Sequence, residues 1–257
     1  MKSLETQLRT LRASGRKALV PYFVAGLTPD WLHYVDAAIH GGADVIEIGI
    51  PFSDPMMDGV VIQEAAMRSL ARGTTLDSAC SDLRSLTSSV PLVAMTYYNI
   101  IHHYGLLKAA GALRAAHVTG AIIPDLTLEE SGEWVHCCAS DDVANIFLTA
   151  PSTDEDRVAK IANVCEGFSY ASARMAVTGK STDEGDAHRV VDTIRAATDI
   201  PIYVGIGITT PGQAQEVSSY ADGVIVGSAL VQQILSGATP QDIEATIRSF
   251  RQALDQS

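Results

Sequence analysis

Cysteine is scarce in this 257-residue chain, at Cys80, Cys137, Cys138 and Cys165 only. Cys137 and Cys138 are adjacent rather than spaced as C-x-x-C, and no His/Cys spacing suits a metal ion. A disulfide framework and a metal site are therefore set aside in favour of free thiols in a reducing compartment. Positive charge is scarce as well. There are 18 Lys and Arg against 30 Asp and Glu, a net charge of −12. Binding a nucleic-acid backbone needs a basic face, so nucleic acid is excluded as a partner. A small phosphorylated ligand needs only a local positive potential and stays open. No apolar run reaches the roughly 20 residues of a membrane span. The polar start MKSLETQLRTLRASGRK lacks an apolar signal core. The expectation is a soluble, cytoplasmic protein with no membrane contact. Linker-like and low-complexity stretches are missing too, so residues 1–257 read as a single domain.

What is present is a repeat of short apolar runs. Eight occur, at 18–25, 44–50, 90–98, 120–126, 145–150, 167–173, 201–207 and 223–229. Several are apolar on both faces, as strands between a core and a helix layer should be. Amphipathic segments lie between them. PDWLHYVDAAIHGGA ends in a Gly-Gly stop, and STDEDRVAKIANVCEG opens with a Ser/Thr cap and acids in its first turn. TPGQAQEVSSYA and TPQDIEATIRSFRQAL each begin at Thr-Pro, an N-cap and N1 pair. Strand–helix alternation through eight units predicts a parallel sheet closed into an α/β (β/α)₈ TIM barrel. An open doubly wound sheet is the alternative, but AGLTPD follows the first strand where its glycine fingerprint would be.

In such a barrel the carboxyl ends of the strands carry the site. Glu47 interrupts the second run, VIEIGI, and points either into the barrel mouth or outward against the helices. Both are costly for a lone carboxylate. A carboxylate paired with a buried arginine and a proton-transfer group with a raised pKa are both open. Asp58, in an Asp-Gly turn, reads as a structural turn residue or as a mobile acid that swings towards a ligand. Gly205, Gly207, Gly227 and Ser228 end the last two strands, where many barrels hold phosphate on backbone N–H groups and a helix N-terminus. The long stretch 173–188, with Thr178, Gly179, Ser181 and Gly185, suits a lid as well as it suits a plain surface loop.

The motifs EIGIPFSDPMMDG, TYYN, GAIIPDL, VTG, VGIGITTPGQA and ADGVIVGSALV make the chain resemble the tryptophan synthase α subunits over nearly its whole length. The resemblance implies a barrel that cleaves indole-3-glycerol phosphate into indole and glyceraldehyde 3-phosphate. It implies an α2β2 heterotetramer in which indole passes to a β subunit. Pyridoxal phosphate is expected on that β subunit alone, with no cofactor or metal in this chain. Glu47 then falls on the catalytic glutamate and Asp58 on the catalytic aspartate. Tyr170, Thr178, Gly179, Gly207, Gly227 and Ser228 fall on substrate or lid positions, and Arg174 starts the lid. Asp54, Pro55 and Asn99 are candidates for contact with the partner.

Five residues depart from the family pattern: Val60, Ile100 and Thr127 in place of prolines, Ala176 in place of glycine, and Ile206 in place of phenylalanine. They are expected in loops used for closure and partner contact. A stand-alone lyase releasing free indole, and a weakly active barrel serving as an allosteric partner, are the alternatives they raise.

Overall fold

The computed structural model describes residues 3–88, 90–172, 184–205 and 207–256. Its strands are β1 (Ala18–Val24), β2 (Ile46–Gly49), β3 (Leu92–Met95), β4 (Val118–Ile122), β5 (Ala144–Ile146), β6 (Leu148–Thr149), β7 (Ser169–Ser172), β8 (Ile202–Gly205) and β9 (Gly223–Val226). All neighbouring pairs are parallel, in the order β5-β4-β3-β2-β1-β9-β8-β7-β6. The eight expected runs all carry strands, and the fifth is divided. Its first half, β5, pairs with β4 and its second half, β6, pairs with β7, so this one run joins the two ends of the strand order and closes the (β/α)₈ ring. The division falls at Phe147, whose N–H leaves the ladder to meet Cys165 Sγ at 3.4 Å, while its carbonyl accepts from Tyr170 N at 3.1 Å.

Period-two alternation sorts the side chains. Val20, Val45, Val93, Ile122, Phe168, Tyr203 and Ile225 pack together inside the ring. Leu19, Ile46, Ile48, Ala94, Val204 and Val224 face the helix layer. The helices are α1 (Ser3–Ala13), α2 (Trp31–His40), α3 (Val60–Ala71), α4 (Leu76–Leu83), α5 (Tyr98–Tyr104), α6 (Leu106–Ala115), α7 (Gly132–Ser140), α8 (Glu155–Val164), α9 (Glu184–Ala197), α10 (Pro211–Ser218), α11 (Ser228–Leu235) and α12 (Pro240–Leu254). The Thr-Pro starts are capping boxes, Thr210 with Gln213 and Thr239 with Asp242. At α8 the cap is one residue later than the Ser/Thr pair. Asp154 accepts from Arg157 N, and Thr153 Oγ1 instead accepts from Ala150 N.

The amino-terminal end of the ring is stopped by α1. Leu4 and Leu8, both buried, join the inner cluster. Leu4 occupies the space a side chain at Gly120 or Gly167 would need. Arg9 and Arg12 fasten the helix to Asp199, before β8, at 2.9 and 2.8 Å. Leu4→Ala therefore opens a cavity inside the barrel, with an expected loss of about 2–5 kcal/mol. Urea unfolding at unchanged m-value measures it; a loss under 1 kcal/mol would mean that α1 does not seal this end.

Candidate active site

Glu47 is 1% exposed on β2, in register between Tyr22 of β1 and Val93 of β3. Val93 belongs to the inner cluster, and Ile46 and Ile48 flank Glu47 on the outer face, so the carboxyl points into the barrel. Its Oε2 has no hydrogen-bond partner among the described residues. Burial first, and then the charge of Asp58, push its pKa up to about 8. A buried arginine partner, one of the two readings open from sequence, is not what the described residues provide.

Asp58 lies half-buried in the loop between β2 and α3. Burial raises its pKa, and a hydrogen bond from Tyr97 opposes the rise. Tyr97 Oη donates to Asp58 Oδ2 at 2.9 Å and accepts from Met57 N at 2.9 Å. The Tyr97 ring stacks on Phe52 at 5.0 Å between centroids. The loop thus touches Tyr97 at three points, which makes it better anchored here than a free-swinging acid would be.

Two phenols border the mouth. Tyr22 Oη lies where a side chain on Gly49 would be, and Tyr170 Oη where one on Gly205 would be. Gly205 is thereby required by the close approach of Tyr170. Burial raises both phenols well above their ordinary pKa, and the charges of Glu47 and Asp58 add to it. Between the loop and the ends of β1 to β3, about 10 Å³ of water-accessible space remains, lined by Val24, Ile50, Phe52, Ile62 and Met95 around Asp58. Thr96 Oγ1 is buried at its edge without a partner among the described residues.

Gly227 precedes α11 with no side-chain cap, and Ser228 is the exposed first residue of that helix. The first helical N–H bonds, from Leu230 and Val231, both go to the Gly227 carbonyl. The amides of Ser228 and Ala229 are the ones such a start offers to an anion. Gly207 has φ +89°, a conformation that demands glycine. Arg174, Thr178, Gly179, Ala176 and Ile206 lie outside the described residues. Val60 and Ile100 are not in loops: Val60 opens α3 and Ile100 is the third residue of α5. Thr127 precedes a short 3₁₀ turn and hydrogen bonds to Glu130. Asp54 and Asn99 are exposed and Pro55 half-buried, beside exposed Met56, Met57 and Val60. No group of metal-ligating side chains occurs among the described residues, and no helix is long and apolar enough to cross a membrane. Tyr22, Thr96 and Tyr97 were not singled out from sequence. Their signal was position, each at or just after the carboxyl end of a barrel strand.

The model of the family described as tryptophan synthase alpha chain matches residues 8–256. The alpha chain of Laribacter hongkongensis is 40% identical, over 99% of this chain and 100% of that one. The alpha chain of Thermobifida fusca is 41% identical over 97% and 95%. Among solved structures, tryptophan synthase subunit alpha of Legionella pneumophila superposes with a TM-score of 0.90 at 32% identity, covering 100% of both chains. A Mycobacterium tuberculosis tryptophan synthase structure gives 0.90 at 34% identity over 98% of each.

Glu47 makes stability depend on pH. Its folded pKa, about 8, lies above the ordinary glutamate value of 4.5. Folding therefore favours the protonated form, and this contribution is complete below the unfolded pKa and lost as pH rises towards 8. Glu47→Gln removes the loss. The stability of Glu47→Gln relative to wild type is expected to grow from pH 5 to pH 8.5, by at most on the order of 5 kcal/mol. Paired denaturation curves across that range measure it; a constant difference would mean that Glu47 is not desolvated.

Proposed function

The chain belongs to the tryptophan synthase alpha chain family, and we propose that Glu47 and Asp58 carry its reaction, the retro-aldol cleavage of indole-3-glycerol phosphate to indole and glyceraldehyde 3-phosphate. It is a carbon–carbon lyase that works beside a tryptophan synthase beta subunit. The reported relatives are alpha chains, and none of them favours a stand-alone lyase or an inactive barrel.

The observation that carries the assignment is a protonatable carboxyl deep in the mouth, its Oε2 without a partner among the described residues, with a second carboxylate close enough to raise its pKa. Glu47, protonated near neutral pH, gives its proton to indole C3. The ring then carries positive charge, delocalised onto its nitrogen, and Asp58 stabilises it from beside the N–H. Glu47, now a carboxylate, takes the proton of the hydroxyl on the carbon attached to C3. The C3–carbon bond breaks, its electrons restore the aromatic indole, and the side chain leaves as the aldehyde. Glu47 ends protonated, as it began. Gly207, Gly227 and Ser228 hold the phosphate. Tyr170 encloses the substrate, together with Arg174, Thr178 and Gly179 as the family resemblance implies.

This chemistry uses no metal and no cofactor of its own, and pyridoxal phosphate belongs to the beta partner. The partner docks on the loop side of the mouth, in an α2β2 complex, over Asp54, Pro55 and Asn99. Met56, Met57, Val60 and Met67, 58–76% exposed, supply apolar area on this side. Residues 1–257 form one barrel domain working in the cytoplasm.

Glu47→Gln is expected to lower single-turnover cleavage by at least roughly 10²-fold while leaving substrate affinity near wild type. In the wild type, kcat/KM should fall as pH rises through about 8, because the free enzyme must bring the proton. Cleavage by Glu47→Gln within a small factor of wild type would remove Glu47 from the mechanism. Gly227→Asp tests the phosphate site. The nearest atoms to a Cβ there are Tyr22 carbons at 3.6–3.7 Å, an ordinary contact, so the barrel should accept it. The new charge should weaken glycerol phosphate binding by roughly tenfold or more. Unchanged affinity by calorimetry would put the phosphate elsewhere.

A further inference from the structure

Among the side chains bordering the mouth, Tyr97 is the one joined to a proposed reacting group by a well-formed hydrogen bond. It caps the start of α5, and the frame behind it is firm. Thr96 N donates to the Ile122 carbonyl at 3.1 Å, and Tyr98 N donates to Asp125 Oδ1 at 2.8 Å. The residues on either side are therefore fixed to β4 and the loop after it. Tyr97 itself is 3% exposed. Against this fixed point rests the segment Phe52–Asp58, by one ring stack and two hydrogen bonds to the same hydroxyl. The single proton of the hydroxyl is committed to Asp58. The hydroxyl also accepts from the Met57 amide, which orients its own proton towards Asp58.

We propose that Tyr97 is a positioning residue for the cleavage: its hydroxyl holds Asp58 Oδ2 so that Oδ1 is left to meet the N–H of the indole ring. The proposal rests on the reading of Asp58 given above. A carboxylate on a surface loop samples many rotamers, and a bond to one oxygen restricts both where the other oxygen points and how the loop arrives. Charge-assisted hydrogen bonds of this kind are among the stronger ones. The bond also keeps the acid ionised. The groups facing Asp58 are Glu47 on β2, Tyr22 on β1 and Tyr170 on β7, with Asp125 acting on Tyr97 from behind. None of these is a cation, and burial works against the charge. Tyr97 supplies the opposing stabilisation without neutralising Asp58.

The test is Tyr97→Phe in the full chain, assayed for indole formation with the beta subunit present, beside Asp58→Asn and the double variant. Phe keeps the ring and its stack on Phe52 and removes one oxygen. Turnover is expected to fall about tenfold or more, as loss of a hydrogen bond to a charged group implies. KM should stay within about twofold, since the bond matters where charge develops. The acidic limb of kcat/KM should move to higher pH, because the interaction that lowers the Asp58 pKa is gone. The double variant should be no slower than Asp58→Asn. A second readout needs no turnover: hydrogen exchange at the Met57 amide should speed up, while that at Ile50, bonded to the Met95 carbonyl, should not. Wild-type turnover and an unmoved acidic limb in Tyr97→Phe, with Asp58→Asn inactive, would overturn the proposal and leave the role of Asp58 standing. Full activity in Asp58→Asn would overturn both.

Discussion

Glu47 is held buried in a parallel ladder, with no cation beside it among the described residues. An ionised carboxylate in that position is costly, so the group keeps its proton well into the neutral range. An arginine within reach would have favoured the ionised form and removed the proton that the proposed cleavage uses. The surroundings are instead phenols and a second acid, groups that make ionisation harder. In the proposed cleavage Asp58 has the opposite requirement, since it must stay charged. It is half-buried rather than sealed, and it receives a hydrogen bond that Glu47 Oε2 lacks. Two carboxyl groups of similar intrinsic acidity are set to different tasks by solvent access and one hydroxyl.

The barrel makes that separation possible by holding the strand ends still. Tyr22 and Tyr170 reach across to neighbouring strands and settle over Gly49 and Gly205. Each phenol is thereby fixed by a missing side chain on another strand. The divided fifth run closes the ring without a regular ladder, through Phe147 and its bonds to Tyr170 and Cys165. Tyr170 is thus placed by the closure itself as well as by its own strand.

Much of this was legible in the sequence. Alternation of apolar runs and amphipathic segments located all eight strand positions, and Thr-Pro pairs marked two helix starts at the residue. Glu47 stood out because a carboxylate in VIEIGI is costly on either face, although a buried ion pair and a proton-transfer group were both open. The division at Phe147 was not legible, because NIFLTA is apolar throughout and the bond to Cys165 Sγ joins residues 18 apart. Val60 and Ile100 were expected in loops used for closure and partner contact, yet Val60 opens α3 and Ile100 lies in the first turn of α5. Gly205 was expected at a strand end beside a bound phosphate, and its close contact with Tyr170 depends on a register between β7 and β8 that composition does not encode. Tyr97 was passed over for the same reason. A tyrosine beside another tyrosine carries no sign of which one will meet an acid 39 positions away.

The helix packed against the amino-terminal end has a consequence for molecular traffic. With Leu4 and Leu8 seated among the inner side chains, the barrel is a cul-de-sac rather than a conduit. Whatever enters must leave by the rim it came through, past the same loop and the same acids. Two products that share one exit depart in an order, and any body seated over that rim governs both departures. A partner that covers the mouth therefore stands across the whole of the enzyme's commerce with its surroundings, and can receive one product directly while it delays the other.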